Sequence, residues 1–386
     1  MKDLLRQEIA ALASTLVVKV GTRVLTREDG QLDPHRIEQL ADQISHIRST
    51  GHKVVLVSSG AVGAGMGRLG LKSRPTNVAQ LQAVAAVGQS ILVEAYERSL
   101  HRHGLHAAQV LLTAEDLEHR LRYLNARNTL VTLLEFGAVP IINENDTVAV
   151  EELHNTFGDN DRLAAIVTNL IRAPLLVLLS DVDGLFNGDP RKPGSQVIDT
   201  VDQLDESILG MVRDRLGGLS KGGMTSKLEA ARLATTGGEN VIIAYGGSPN
   251  VLNRIVAGET VGTLFLAQGR AVTARKRWIG LTVKPRGRLF LDAGARDAVE
   301  LKGRSLLPAG VASLEGEFHK GDVVSLRGPD GVEFGRGLTN YDSEEVQRIK
   351  GLKTAQIAKI LGDCPYDEII HRDNLVVTTK KAKEKV

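Results

Sequence analysis

The sequence predicts an α/β domain built on a mostly parallel sheet, followed by a separate, small β-rich domain. Three observations carry this. From residue 14 to about 266 one local grammar repeats, a short β-branched run, a glycine-rich or polar turn and then a longer helical pattern, as parallel α/β folds require. Several of the runs are nearly continuous in Val, Ile and Leu, which suits strands covered on both faces by helices. After Gly269 the texture changes to short strands with frequent glycine, as in 316–325 and 331–338.

Taken in order, the strands fall at Thr15–Val20, Lys53–Ser58, Ala107–Leu112, Ala138–Asn143, Leu175–Ser180 and Asn240–Ala244. Helical patterns fill Pro34–Ser49, Val78–His101, Leu124–Glu135, Asp161–Ile171 and Lys227–Thr235. The connection to the second domain is basic: Arg275, Lys276, Arg277, Lys284, Arg286 and Arg288 all precede the first acidic residue, Asp292. This divides the chain into a main domain over 1–268, a basic linker over 269–284, a β-rich domain over 285–374 and a charged tail over 375–386. No internal repeat of 20–50 residues is present.

Composition narrows the class. The 386 residues carry 48 Lys+Arg against 46 Asp+Glu, a net charge of +2, so no long-range field for nucleic acid stands out. With 42% hydrophobic and 24% charged residues the chain can bury more than one core, which excludes general disorder. The longest apolar runs, such as Leu175–Leu179, fall far short of the ~18–20 residues that span a bilayer, and no membrane role is expected. Asp3, Glu8 and Lys19 break up the start of the chain as a signal peptide. The single cysteine, Cys364, allows neither an intrachain disulfide nor a cysteine-based zinc site and fits a cytoplasmic protein.

In parallel α/β sheets ligands bind beyond the carboxyl ends of the strands, and those positions here are polar. They read Lys19-Val-Gly21-Thr22, Ser58-Ser59-Gly60-Ala61, Asn143-Glu144-Asn145-Asp146 and Ser180-Asp181. A lysine inside an apolar strand is costly to bury alone, so Lys19 needs an anionic partner, either a structural ion pair or a ligand. Lys221-Gly222-Gly223-Met224-Thr225-Ser226-Lys227 precedes a helical pattern. Glycines, hydroxyls and a lysine at a helix start form an anion trap, although the same stretch also serves as a flexible turn and cap. Two separated lysines with phosphate-friendly loops suggest phosphoryl transfer. Asp146, Asp159, Asn160, Asp161, Asp181 and Asp183 supply acidic and amide groups, Asp161 being equally suited to a helix cap.

Other motifs are set aside. Gly65-Met-Gly67-Arg-Leu-Gly70 matches a dinucleotide fingerprint formally, but it starts residues after a second strand, with no acidic residue ending a following strand at the required distance. No Gly-x-x-x-x-Gly-Lys-Ser/Thr occurs. His101, His103 and His106 sit at a helix end, where cations favour the dipole, and no metal site is expected there. Ser58, Ser59 and Ser180 lack a histidine at recognisable spacing and suit hydrogen bonding better than nucleophilic attack.

Taken together, Val18-Lys19-Val-Gly21-Thr22, Ser59-Gly60-Ala61, Asn143-Glu-Asn-Asp146, Gly158-Asp-Asn-Asp161, Leu179-Ser180-Asp181-x-x-Gly184 and Gly222-Gly-Met224-x-x-Lys227 resemble, in this order, the glutamate 5-kinase family of the amino acid kinase superfamily. Arg275-Lys-Arg277-Trp278-Ile and Leu307-Pro-x-Gly310 resemble the PUA domain that many bacterial members carry. The resemblance implies a three-layer αβα sandwich with a mainly parallel central sheet, the amino acid kinase fold, plus a β-barrel-like PUA domain. The implied reaction is MgATP plus L-glutamate giving L-glutamate 5-phosphate, the first step of proline biosynthesis.

Position by position, the resemblance makes Lys19 and Lys227 the neutralisers of phosphoryl charge and Asp161 their holder. Ser59, Asp146 and Asn160 would bind glutamate, with Asn143 and Asp159 nearby. ATP would meet Lys19, Ser180, Asp181, Lys221, Gly222, Gly223, Met224, Thr225, Ser226 and Lys227. Lys221 departs from the threonine usual in the family; it either adds a phosphate contact or points to solvent. The cofactors implied are ATP and Mg2+, with no dedicated protein metal ligands. Feedback inhibition by proline and a homo-oligomer are implied as well.

Two other readings compete. One stays in the superfamily, with aspartate, N-acetylglutamate, carbamate or a nucleoside monophosphate as acceptor. The other makes RNA the partner, since PUA domains occur in RNA-modifying enzymes; 3% aromatic residues leave few stacking platforms for it.

Overall fold

The computed structural model describes residues 3–27, 29–148, 160–204, 208, 223–268, 274–353, 356–361 and 366–378. The chain divides into two compact units, Met1–Ala271 and Val272–Val386.

Among the described residues the first unit holds eight strands: β1 Thr15–Val20, β2 Lys53–Ser58, β3 Ala107–Leu112, β4 Val139–Glu144, β5 Leu175–Ser180, β6 Thr200–Val201, β7 Asn240–Tyr245 and β8 Thr263–Phe265. Their order in the sheet is β3-β4-β2-β1-β5-β7-β8-β6. Every pairing is parallel except β7 with β8. The expected strands are present to within one residue at their ends. β6 and β8 escaped the sequence reading because two- and three-residue strands carry too short a pattern to register.

The helices in chain order are α1 Leu4–Leu12, α2 Thr22–Leu25, α3 Pro34–Ser49, α4 Ala61–Leu69, α5 Val78–His101, α6 Ala114–Glu118, α7 Arg120–Glu135, α8 Asn160–Ile171, α9 Met224–Thr236 and α10 Val251–Val256. Local chemistry sets their starts. Asp33 accepts the His35 amide with Pro34 in the first turn of α3, and Asn77 accepts the Gln80 amide ahead of α5. On one face of the sheet α1, α3, α4, α5 and α10 pack among themselves, and on the other α7, α8 and α9 do so. The three-layer sandwich follows.

Strand alternation assigns side chains to these layers. Leu16, Val18 and Val20 join Leu56, Val177 and Leu179 in the core beneath α3, α5 and α10. Val17 and Lys19 therefore face the opposite layer, that of α8 and α9. From β1 the sheet grows to one side through β2, β4 and β3 and to the other through β5 and β7. The strand order thus reverses between β1 and β5, where parallel sheets open a crevice for ligands.

The glycine-rich stretch after β2, which carries most of the formal fingerprint match, is helix α4. Its glycines serve packing. A Cβ on Gly65 would lie 1.9 Å from the Val84 carbonyl oxygen, and one on Gly88 1.7 Å from that of Ala61, so α4 and α5 meet backbone to backbone. α5 is the one helix among the described residues long and apolar enough in composition to cross a membrane. Its buried stripe of Leu81, Val84, Ala85, Gly88, Leu92, Tyr96 and Leu100 packs on neighbouring helices. The run-based reading passed over it because Gln80, Gln82, Gln89 and Ser90 interrupt the apolar sequence.

The second unit is a five-stranded sheet with its own core. Its strands are β9 Gly287–Leu291, β10 Val311–Glu315, β11 Val323–Arg327, β12 Glu333–Leu338 and β13 Leu375–Val377, in the order β10-β9-β11-β12-β13. Leu289, Leu291, Val324, Leu326, Phe334 and Tyr341 fill its interior. Within the span read as a linker, 274–277 and 278–282 are helical, because Trp278 and Ile279 have apolar surface to bury there. Of the tail, 379–386 lie outside the described residues.

Candidate active site

Three buried charges meet at the carboxyl edge of the sheet. Lys19, one residue before the end of β1, places Nζ 2.6 Å from Asp161 Oδ1. Lys227, in the first turn of α9, places Nζ 3.3 Å from Asp161 Oδ2 and 3.3 Å from the Gly223 carbonyl oxygen. Ser226 Oγ also donates to Asp161 Oδ2, at 2.9 Å. The three charged residues are only 5%, 8% and 1% exposed, in the order Lys19, Lys227, Asp161, so they shed nearly all hydration and depend on one another. Burial pushes the Asp161 carboxyl up, but the two ammonium groups and the hydrogen bonds from Lys19 and Ser226 outweigh it and hold it below the usual carboxylate range. Burial lowers the proton affinity of Lys19; Asp161 opposes this, while the charge of Lys227 adds to it. One carboxylate holding two ammonium groups leaves a local excess of positive charge.

A second cluster adjoins the first through the sequence neighbour of Asp161. Asn160 begins α8, and its Nδ2 donates to the Ser58 carbonyl oxygen at 3.1 Å, to Ser59 Oγ at 2.9 Å and to Asn143 Oδ1 at 3.1 Å. Asn143 in β4 in turn donates from Nδ2 to Gln89 Oε1 of α5 at 2.8 Å. Ser58 at the end of β2 pairs its hydroxyl with the buried Tyr96 hydroxyl at 3.0 Å. Asn160 Oδ1 and Gln89 Nε2 are buried with no hydrogen-bond partner among the described residues. Buried polar atoms are nearly always satisfied, so an open acceptor beside a cationic cluster marks a ligand position.

Ser180 and Asp181 stand at the carboxyl end of β5. Ser180, buried at the end of β5, donates to Asp181 Oδ1 at 3.1 Å, and Arg23 Nη1 of α2 donates to Asp181 Oδ2 at 2.6 Å. Partial burial raises the Asp181 carboxyl, but Arg23, backbone and Ser180 hydrogen bonds bring it below its ordinary value. Asp146 lies in the turn after β4. Burial pushes its carboxyl up to about 6, against the opposing charge of Arg74.

The structure thus joins Lys19, Asp161, Ser226 and Lys227 in one cluster and Ser59, Asn143 and Asn160 in another. Gly223, Met224 and Thr225 form the entry to α9. Asp159, Lys221 and Gly222 lie outside the described residues. Sequence reasoning missed Gln89, Arg74 and Arg23. For Gln89 a signal existed: it is a lone amide within the apolar stripe Ala85, Gly88, Leu92 and Tyr96. Arg23 and Arg74 sit in polar stretches where one arginine looks like any other.

The histidine cluster has an account of its own. Ligand atoms of Glu97, His101 and His106 lie within 4.8 Å of one another, with both histidines exposed. Glu97 is already engaged, Oε2 accepting the Ala107 amide at 2.6 Å and Oε1 facing His106 Nδ1 at 3.4 Å. Its carboxylate ties the end of α5 to the start of β3.

Comparison with known proteins agrees with this geometry. The model of the amino acid kinase family matches residues 14–245, and that of the PUA domain residues 287–361. The chain is 51% identical over 373 residues to the glutamate 5-kinase of Rhodopirellula baltica, covering 97% of this chain and 96% of that protein. It is 50% identical to that of Nitrosococcus oceani, covering 94% and 96%, and 47% identical to that of Caldanaerobacter subterraneus subsp. tengcongensis, covering 95% and 99%. With a lysine pair buried on one aspartate, a mainly parallel sandwich and likeness to these enzymes from end to end, the chain belongs to the amino acid kinase family and, within it, to the glutamate 5-kinases.

Proposed function

We propose that the chain catalyses ATP-dependent phosphorylation of the γ-carboxylate of L-glutamate to L-glutamate 5-phosphate, the first step of proline biosynthesis, in the cytoplasm. The observation that carries this is the pair of ammonium groups held on Asp161, directly beside the amide cluster of Asn160. A γ-carboxylate oxygen attacks the γ-phosphorus of ATP, the bond to the bridging oxygen breaks, and ADP leaves. The attacking carboxylate is ionised at neutral pH, so no base is needed to remove a proton. Catalysis then rests on position and charge.

Lys19 and Lys227 neutralise charge on the transferring phosphoryl group and the bridging oxygen. Asp161 keeps both ammonium groups aimed. Ser59, Asn160 and Asp146 bind the amino acid, with Asn143 supporting Asn160. Ser180, Asp181 and the start of α9, Gly223 to Lys227, face the nucleotide. Mg2+, when bound, would neutralise charge on the β- and γ-phosphates. Asp161 has both oxygens on lysines and Ser226, and Asp181 accepts from Arg23 and Ser180, so the ion would be held by the nucleotide's own phosphates.

The deciding assay supplies MgATP, hydroxylamine to trap an acyl phosphate, and glutamate, aspartate, N-acetylglutamate or UMP in turn. Hydroxamate formed selectively from glutamate is expected; selective turnover of another acceptor would retain the phosphate chemistry and discard the glutamate pocket. We also propose that proline competes for the pocket of Ser59, Asp146 and Asn160 and that the enzyme is a homo-oligomer. Inhibition that stays constant as glutamate rises, or a monomeric mass by sedimentation equilibrium, would refute these in turn.

A further inference from the structure

Asn160 presents two chemically different ends, and which one meets the substrate decides what the pocket recognises. The Ser58 carbonyl oxygen accepts only, so the end of Asn160 that lies 3.1 Å from it is Nδ2. Nδ2 also reaches Asn143, which must then present its own oxygen, at 3.1 Å. That leaves the Asn143 nitrogen pointing away from Asn160, toward Gln89, whose Oε1 receives it at 2.8 Å. Polarity passes along the three amides without a free choice at any of them. At the pocket end remains Asn160 Oδ1, a buried acceptor with no partner among the described residues.

We propose that Gln89 is a positioning residue: by accepting from Asn143 it locks the Asn143 and Asn160 amides so that Asn160 Oδ1 faces the α-ammonium of the amino acid. This rests on the glutamate reading above. Gln89 is 8% exposed, and Asn143 3%, so neither amide has water to fall back on. Removing the Gln89 oxygen leaves the Asn143 nitrogen buried without an acceptor, and turning Asn143 over to recover one would set nitrogen against nitrogen at Asn160. The helix that carries Gln89 is packed close here: the neighbouring Gly88 lies against the backbone of Ala61, two residues after Ser59. α5, β2, β4 and α8 each contribute one member, so the acceptor is fixed from four elements.

The test is steady-state kinetics with hydroxylamine trapping on Gln89→Met, Gln89→Glu, Asn143→Ala and the double variant Gln89→Met/Asn143→Ala. Gln89→Met keeps volume and removes the acceptor; it is expected to raise the glutamate KM roughly tenfold while the ATP KM stays within about twofold. Gln89→Glu keeps an oxygen toward Asn143 and is expected to restore most of the affinity. In the Asn143→Ala background Gln89→Met should add nothing further, since its effect passes through Asn143. An unchanged glutamate KM in Gln89→Met would overturn the proposal. So would glutamate and ATP KM rising together, or effects that add in the double variant. Should Gln89→Met not fold, Gln89→Asn, which draws the oxygen back by one methylene, carries the same comparison. If the wild type forms no hydroxamate from glutamate, the functional reading fails separately, and the relay is judged on the KM of whichever acceptor in the panel is used.

Discussion

Asp161 is where two buried lysines meet, and its removal should be felt first in folding. With Asp161→Ala both ammonium groups would remain buried without a counter-charge, and such losses cost about 3–5 kcal/mol; a denaturant midpoint lowered to match is expected, and a wild-type midpoint would refute the pairing. Lys19→Ala or Lys227→Ala should instead lower kcat by roughly 10²–10³-fold, by analogy with removing one preorganised donor to transition-state charge. Near-normal turnover in either would refute the assigned roles. Asp146 gives a pH signature. Its carboxyl is pushed up to about 6 by burial, so below that pH it is protonated and loses its attraction for an ammonium group. Glutamate kcat/KM should therefore fall as pH drops through about 6, and Asp146→Asn should abolish that limb of the profile. For stability the sign is opposite: between about 4 and 6 the native state holds a proton that the unfolded chain has released, so this group's contribution declines as pH rises. At the same scale the sequence exposed Lys19, a charge in an apolar strand, but not Arg74 or Arg23, whose importance lies only in what they face.

Among the elements, α4 and α5 show how far local signals carry. The stretch Ala61–Leu69 contains three glycines and reads as a loop by propensity, since each weakens a helix by about 1 kcal/mol. It is helical in a setting where Gly65 admits the backbone of α5 and Gly63 and Gly67 admit Gly30 and Gln31, a gain that no local pattern encodes. Gly88→Ala should therefore force α4 and α5 apart, costing about 1–3 kcal/mol as overpacking does, and should raise the glutamate KM by shifting Gln89. A thermal midpoint and a glutamate KM both at wild-type values would contradict this packing account. By contrast α3 and α5 were legible to the residue, since Asp33-Pro34 and Asn77 mark their starts and an apolar stripe marks their faces.

For the whole molecule, the sheet order decides the site. β1 lies centrally, with β2 on one side and β5 on the other, so residues distant in sequence, Lys19, Ser58, Asn143 and Ser180, end at one edge. The two units have separate cores, one around Leu16, Ile44 and Leu179, the other around Leu326, Phe334 and Tyr341. Calorimetric unfolding should accordingly depart from two-state behaviour, with a calorimetric enthalpy exceeding the van't Hoff value. Equal enthalpies would show the two cores melting as one.

Periodicity, caps and strand-end polarity in the sequence sufficed for the α/β class, six of the eight described sheet strands and the two lysines later found buried on Asp161, because each is written in residues a few positions apart. The resemblance of spaced motifs added Asp161, Asn160 and Asn143 as partners. Tertiary structure alone decided that Ser226 joins the two lysines on Asp161, that the glycines of α4 are packing surfaces, and that Gln89 meets Asn143. Those facts depend on contacts between residues 19 to 65 positions apart in the chain, from Gly65 against Val84 to Ser226 on Asp161, and only the tertiary fold brings such residues together.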